Sequence, residues 1–274
     1  MTIGWYPGHM NKARKDIMKA LHNVDLVIEL VDARLPCSSE NPLLNAMIAN
    51  TARIKILNKA DLADPDITRL WLDDFKAKNI VAYALDKSEQ EAIKKSLSLA
   101  RRISGKKPGQ VLRIMIVGIP NVGKSTYLNT LLNRKVAKVG NEPAVTRSAQ
   151  EIILDDQIRL IDTPGVLWPK LEDQDAAYRL AVTGAIKNTA IEFEDIALFA
   201  LDFLRKDYPS RLLDRYQLSE PELDAQSLLR QIGEKRGCLR KGGVDFHKAS
   251  EILLNDLRSG ALGRLSLEKP QLLP

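Results

Sequence analysis

The sequence predicts a mostly parallel α/β domain over residues 1–173, followed by a small helical domain over residues 174–274. Three observations favour this fold class. Continuous β-branched runs alternate with helical segments, which is typical of parallel strands with helices on both faces. A glycine-rich turn joins the most apolar run to a helix. From about Asp175 the apolar residues change to helical spacing, as in Ala197, Ala200, Leu201 and Leu204.

The elements of the first domain follow one another in a regular order. Strands are predicted over residues 24–31, 53–57, 80–85, 111–117, 151–154 and 158–161. Helices are predicted over residues 11–22, 43–48, 66–78 and 89–103, and from Lys124 onward. Pro65 marks the start of the third helix, since proline is well tolerated in a first helical turn.

Composition and charge exclude several classes of protein. With 45% hydrophobic and 28% charged residues, the 274-residue chain can bury a core, and its net charge is +6. Residues from 175 onward carry 15 basic and 15 acidic side chains, so the positive excess lies before them and suits an anionic partner. Two cysteines and three histidines exclude a disulfide framework and a zinc cage. No apolar run approaches the roughly 18 residues of a membrane span, so we expect a soluble protein of a reducing compartment with no membrane partner.

Residues 118–125 read Gly-Ile-Pro-Asn-Val-Gly-Lys-Ser, which matches the P-loop pattern completely. Its glycines let backbone N–H groups close around phosphates, and the following helix adds partial positive charge. Lys124 would reach the β- and γ-phosphates, and Ser125 would ligate Mg²⁺. The neighbours expected to line the same nucleotide site are Pro120, Asn121, Val122, Gly123 and Thr126. The alternative is a glycine-rich turn with an exposed lysine.

A second phosphate-sensing box follows the last predicted strand. Asp162 ends that strand and would hold Mg²⁺ through water, while the Gly165 N–H would sense the γ-phosphate. Between the two boxes, residues 143–147 form a polar loop whose Thr146 would complete the Mg²⁺ shell. The alternative for Thr146 is an ordinary exposed loop residue.

A base-recognition box, Asn58-Lys59-Ala60-Asp61, ends the second strand. The Asp61 carboxylate can accept both the ring N–H and the exocyclic amine of guanine, which adenine does not offer. The Lys59 stem can lie over the base, and Asn58 can tie this loop to the P-loop. The box therefore predicts GTP and GDP as ligands, against the alternative of a polar strand-to-helix turn.

The order of these boxes is a circular permutation, because in ordinary small GTPases the base box follows the P-loop. Together with Gly-Trp-Tyr-Pro-Gly-His-Met at residues 4–10, this order resembles the circularly permuted P-loop GTPases of the RbgA/YlqF ribosome-biogenesis family. The resemblance runs from Trp5 to about Trp168, and residues 258–264 are similar to the family's C-terminal signature. It implies a GTP-hydrolysing assembly factor that binds the large ribosomal subunit and its rRNA late in maturation. The alternatives are a GTPase switch that recruits a protein partner without rRNA, and a nucleotide-binding scaffold without turnover.

Two departures from the family pattern stand in this sequence. The box that reads the guanine carbonyl is usually Ser-Ala, whereas this chain has Tyr83-Ala84, so the Ala84 amide can serve while the serine contact is lost. The Thr146 motif begins with Ala144 where glycine is more usual, which would stiffen that loop.

Hydrolysis needs a group that orients water, and Val166 cannot, although many small GTPases have glutamine at this position. The resemblance favours His9 as the water-orienting group, with Lys124 and Thr146 as the other catalytic residues. The alternative for His9 is a helix cap or an RNA-phosphate contact.

Asn121 suggests a K⁺ site, because an asparagine here helps hold a monovalent cation in related GTPases. A purely structural asparagine is the alternative.

Two basic segments would suit any nucleic acid as the anionic partner, and the family resemblance implies that the helical domain binds RNA. Seven cations and no acid lie within residues 92–113, which predicts a phosphate-tracking surface or simply a solvated helix face. Residues 235–243 are predicted to form a flexible basic loop before a helix over about residues 246–257.

Overall fold

A six-stranded sheet forms the centre of the first domain in the computed structural model, which describes residues 9–86, 89–133, 149–168, 173–186, 192–218 and 224–271. Its strand order is β3-β2-β1-β4-β6-β5, and only the edge strand β5 runs antiparallel to its neighbour. The strands are β1 (Leu26–Asp32), β2 (Arg53–Asn58), β3 (Ala82–Leu85), β4 (Leu112–Gly118), β5 (Gln150–Ile153) and β6 (Ile158–Asp162). This arrangement confirms the predicted fold class.

Five helices accompany the sheet along the described chain, and five more follow it. The first group is α1 (His9–Leu21), α2 (Pro42–Ile48), α3 (Pro65–Ala77), α4 (Gln90–Ser104) and α5 (Lys124–Leu132). The second group is α6 (Gln174–Val182), α7 (Phe193–Asp207), α8 (Pro209–Tyr216), α9 (Ala225–Lys235) and α10 (Phe246–Ser259). Within these residues, no helix is both long and apolar enough to span a membrane.

One expectation for the helical region was wrong. Within the predicted flexible loop 235–243, the chain forms strand β7 (Leu239–Arg240), which pairs antiparallel with β8 (Gly243–Val244). Gly242 and Gly243 take φ angles of +100° and +133°, which glycine adopts without strain, and this allows so tight a reversal.

One continuous hydrophobic cluster joins the sheet to the helical region. Ile28 and Ile116 of the central strands belong to the same buried cluster as Leu180 of α6, Leu201 of α7 and Leu253 of α10. A second cluster covers the opposite face of the sheet through α1 and α2. The division at residue 174 therefore remains a prediction about the chain, since the two parts share one core.

Candidate functional site

The carboxyl ends of the parallel strands bring the predicted boxes together at one edge of the sheet. Asp32 at the end of β1 lies opposite Asn58 at the end of β2, and Ile116 of β4 lies opposite Asp162 at the end of β6. The base box, the P-loop and the Asp162 box therefore follow strand ends at the same edge, which is where open α/β sheets bind ligands. Thr146 and the motif before His9 lie outside the described residues.

The P-loop requires glycine where other parts of the site approach it. Gly123, the residue before α5, has a φ of +102°, and a Cβ atom there would lie 2.3 Å from Asn58 Nδ2. A Cβ on Gly165 would lie 2.7 Å from the backbone of Pro120 and 3.0 Å from Lys124 Nζ. The Asp162 box thus packs directly against the P-loop and its lysine, and the first N–H groups of α5 remain available to a phosphate.

Lys124 is buried, and its ammonium group donates hydrogen bonds to the carbonyls of Gly118 at 3.0 Å and Ile119 at 2.8 Å. Burial lowers the pKa of Lys124 to about 8, while the nearby Asp162 carboxylate acts in the opposite direction. To bind a phosphate, the ammonium must exchange these carbonyls for phosphate oxygens. The group is therefore positioned by the loop before any anion arrives.

The donors beside the P-loop fit a magnesium ion. Asp162 is only 3% exposed, its carboxylate interacts with Lys124, and Ser125 is the second residue of α5. A carboxylate and a hydroxyl are the hard oxygen donors that Mg²⁺ prefers, and Mg²⁺ usually adds water and substrate phosphates to a few such donors.

The base box is tied to the P-loop by a short hydrogen bond. Asn58 Nδ2 donates to the carbonyl of Val122 at 2.7 Å, which confirms the contact predicted from the sequence. Lys59 adopts a φ of 61°, an uncommon value for a residue with a side chain, and its ammonium contacts Asp32 at 3.1 Å.

Asp32 and Arg34 belong to this site, although sequence reasoning missed them. Arg34 pairs with the Asp32 carboxylate at 2.9 Å, and both side chains are almost fully buried. Burial alone would raise the pKa of Asp32, but Arg34 and Lys59 hold it well below its usual range. The available signal was the charged turn Asp32-Ala33-Arg34 directly after a buried strand.

Tyr83 and Ala84 lie inside β3, opposite Ile56 and Leu57, whereas Leu85 lies opposite Asn58 at the end of β2. The Tyr83 phenol packs against Ser96 and Tyr127, and burial raises its pKa to about 12. The side chain is thus directed into the core beside α4 and α5, so this residue could approach a nucleotide only through its backbone.

Helix α1 packs on the face of the sheet that also holds Val166. Ala13 and Ile17 share a buried cluster with Val166, whose carbonyl accepts a hydrogen bond from Asn41 Nδ2 at 2.7 Å. The short connection 22–25 joins α1 to the beginning of β1. His9 is the first residue of that helix.

Asn121 reaches across to the helical region. It has a φ of 57°, and its amide nitrogen lies 3.4 Å from the carbonyl of Gly184, just after α6. Arg258 of α10 donates to the carbonyls of Val182 and Ala181 at 2.9 and 2.8 Å. The P-loop is thereby connected through the end of α6 to α10.

Acids from outside the basic segment 92–113 contact two of its cations. Lys94 lies 3.5 Å from Glu91, and Lys106 lies 3.0 Å from Asp25. Arg101 donates to the carbonyls of Lys107 and Gln110. The positive charge of the segment is therefore partly balanced by acidic residues that lie outside it.

The fold and the arrangement of these boxes define a circularly permuted P-loop GTPase. Residues 113–236 match the family model described as 50S ribosome-binding GTPase. "Ribosome biogenesis GTPase A" of Priestia megaterium is 44% identical, with 98% of both chains covered. The protein of the same name from Thermotoga maritima is 30% identical over 98% of this chain and 95% of its own. The structure "GNP-bound YlqF from T. maritima" has a TM-score of 0.72 at 27% identity, covering 95% of this chain and 99% of that one.

The chain therefore belongs to the ribosome biogenesis GTPase A family, RbgA/YlqF, and it is a GTPase.

The buried lysine predicts a measurable pH dependence of stability. The pKa of Lys124 is about 8 in the folded chain against 10.5 ordinarily, so the unfolded chain binds more protons between these values. Wild-type stability should therefore rise with pH across this window, whereas Lys124→Met, which removes the titration, should lack this rise. The difference in stability between the two should change by about 2 kcal/mol between pH 7 and pH 10, in favour of the wild type, in urea unfolding of the nucleotide-free protein. Lys94→Met, at an exposed site, is the control, and a gap that does not change with pH would contradict the assignment.

Proposed function

We propose that this GTPase acts late in assembly of the large ribosomal subunit, with GTP binding at the sheet edge controlling its affinity for the particle. The observation that carries the proposal is the match to ribosome biogenesis GTPases along 98% of the chain, through both the GTPase region and the helical region. The positive excess before residue 175 suits rRNA as the partner. We further propose that the protein acts in the cytoplasm as a monomer.

The nucleotide is proposed to span the P-loop and the base box. Residues 120–126 would hold the phosphates, with Lys124 on the β- and γ-oxygens. Asp61 would accept hydrogen bonds from guanine, the Lys59 stem would cover the base, and the Ala84 region of β3 would supply a backbone donor. The Asn58 bridge to Val122 supports this arrangement, because it fixes the distance between the base box and the P-loop.

Mg²⁺ is proposed to lie between Ser125 and Asp162, with Thr146 completing its shell. The ion would neutralise charge on the β- and γ-phosphate oxygens. Gly165 lies against Pro120 and Lys124, so its N–H is well placed to respond to the γ-phosphate. A K⁺ ion beside Asn121 is proposed as an additional positive charge; it would require the Asn121 side chain to exchange its contact with Gly184.

His9 is proposed to orient the attacking water. Val166 has no polar side-chain atom and is buried among apolar residues, so the water-orienting group must come from another element. Helix α1, which begins with His9, shares a buried cluster with Val166, and imidazole can both donate to and accept from water.

Asp61→Asn tests the base site. An amide cannot accept two hydrogen bonds from guanine, so the preference for GTP over ATP should fall by about 10²- to 10⁴-fold. Affinity for xanthosine triphosphate should rise, because its C2 oxygen accepts a hydrogen bond from the new amide. A competition titration measures both changes, with Asp66→Asn, an exposed carboxylate nearby on α3, as the control. Unchanged selectivity would refute the assignment.

His9→Ala should slow GTP hydrolysis by about 10²- to 10⁴-fold while leaving GTP affinity intact, since a water-orienting group acts only in the chemical step. The measurement is single-turnover hydrolysis in the presence of purified large subunits. His22→Ala, exposed just after α1, is the matched control. Equal rates for both variants would exclude His9 as the water-orienting residue.

Binding to the large ribosomal subunit tests whether the bound nucleotide controls the protein's affinity for that particle. The GTP-bound form should bind purified large subunits about 5- to 150-fold more tightly than the GDP-bound form, the range of ordinary allosteric coupling. The Asn121–Gly184 contact and the packing of Gly165 on the P-loop offer a short path from the γ-phosphate to the helical region. Co-sedimentation with a non-hydrolysable GTP analogue or GDP measures the difference. Equal binding of the two forms would contradict the switch, and no binding in either form would favour a protein partner instead of rRNA.

A further inference from the structure

The chain that follows α10 returns to the nucleotide edge of the sheet. We call residues 260–268 the C-terminal tail. The backbone N–H of Leu265 donates to the carbonyl of Leu62 at 2.9 Å, and that of Leu267 donates to the carbonyl of Arg34 at 2.7 Å. The side chains of Leu265 and Leu267 are buried. The tail is therefore an integral part of the packed core.

The tail binds the backbone of the loop that carries Asp61. Arg264 donates from Nε to the carbonyl of Ala63 at 2.8 Å and from Nη2 to the carbonyl of Ala60 at 3.0 Å. These carbonyls belong to residues on either side of Asp61. The Asp64 N–H, the last before α3, donates to the Ser266 hydroxyl at 3.2 Å.

External contacts can stabilise this loop because one of its residues has an unfavourable backbone conformation. It begins with Lys59 in the left-handed region, at φ 61°, where a residue with a side chain is rarely found. One planar guanidinium presents its donors in a fixed fork, so it holds two carbonyls in a more rigid relation than an ammonium on a flexible stem does. A carboxylate that must meet two donors on one base edge needs a backbone fixed to a fraction of an ångström.

We propose that Arg264, assisted by Ser266, is a positioning residue for guanine recognition. It fixes the 60–63 turn so that both Asp61 oxygens face the base, and it contacts no part of the nucleotide itself. The inference rests on the proposed role of Asp61 as the guanine acceptor. It makes a residue of the C-terminal tail responsible for base selectivity in the GTPase region.

The test compares the affinities of the full-length chain for GDP and for inosine diphosphate, which lacks the exocyclic amine. Their ratio reports the hydrogen bond from that amine to Asp61, whereas a general loss of stability would weaken both ligands alike. Arg264→Met should reduce the GDP-to-IDP affinity ratio by about 10-fold, the effect of losing one well-placed hydrogen bond to a charged group. Arg264→Lys should restore part of the ratio, since lysine keeps the charge and the donors but lacks the rigid planar fork.

Two further variants make the outcome decisive. Arg205→Met removes a partly exposed arginine that pairs with Asp202 on α7, and it should leave the ratio unchanged. Ser266→Ala removes the acceptor of the Asp64 N–H and should reduce the ratio by a smaller factor; it carries the test if Arg264→Met fails to fold. Suppose that the tail variants keep the wild-type GDP-to-IDP affinity ratio while Asp61→Asn loses it. That result would overturn the proposed role of the tail, but it would still support Asp61 as the guanine acceptor. A ratio unaffected by Asp61→Asn would overturn both proposals.

Discussion

The buried carboxylate of Asp32 holds the base-box side of the site together. It ends β1 and pairs with Arg34 from the following turn and with Lys59 from the turn after β2. Burying these charges is costly, and it is tolerated because the carboxylate accepts bonds from both cations and from the Arg34 backbone. Without Asp32, two cations would face each other in a poorly solvated place. This carboxylate therefore helps to hold the turn after β1 against the turn after β2.

The same cluster extends to the helical region. Arg34 Nη1 lies 3.5 Å from the carbonyl of Leu257 in α10, and burial lowers the pKa of the neighbouring Arg258 to about 10, with a further contribution from Arg34. Arg258 in turn binds the last carbonyls of α6. Base box, P-loop and helical region thus contact one another through polar groups as well as through the shared apolar core.

The sequence alone was sufficient to predict the features that depend on local patterns of residues. Strands β1, β2 and β4 lie within two residues of their predicted bounds because their apolar runs are long and uninterrupted. The Asn58 contact with Val122 was predictable because parallel strands end at one edge. The Asp32–Arg34–Lys59 cluster could not be predicted, because a charged turn has the same sequence pattern whether it is exposed to solvent or buried. The direction of Tyr83 into the core and the 239–244 hairpin also depend on which distant segments meet, and spacing alone carries no information about that.

The separation in sequence between the base box and its supporting tail has a consequence for biosynthesis. Arg264 and Ala60 are 204 residues apart. The strand and loop that carry Asp61 are synthesised early, yet the tail contacts form only after residue 268 has left the ribosome. During synthesis, residues 118–125 of the P-loop are therefore complete well before the 60–63 turn can gain its contacts with residues 264–267. The final geometry of that turn depends on a segment made about 200 residues after it.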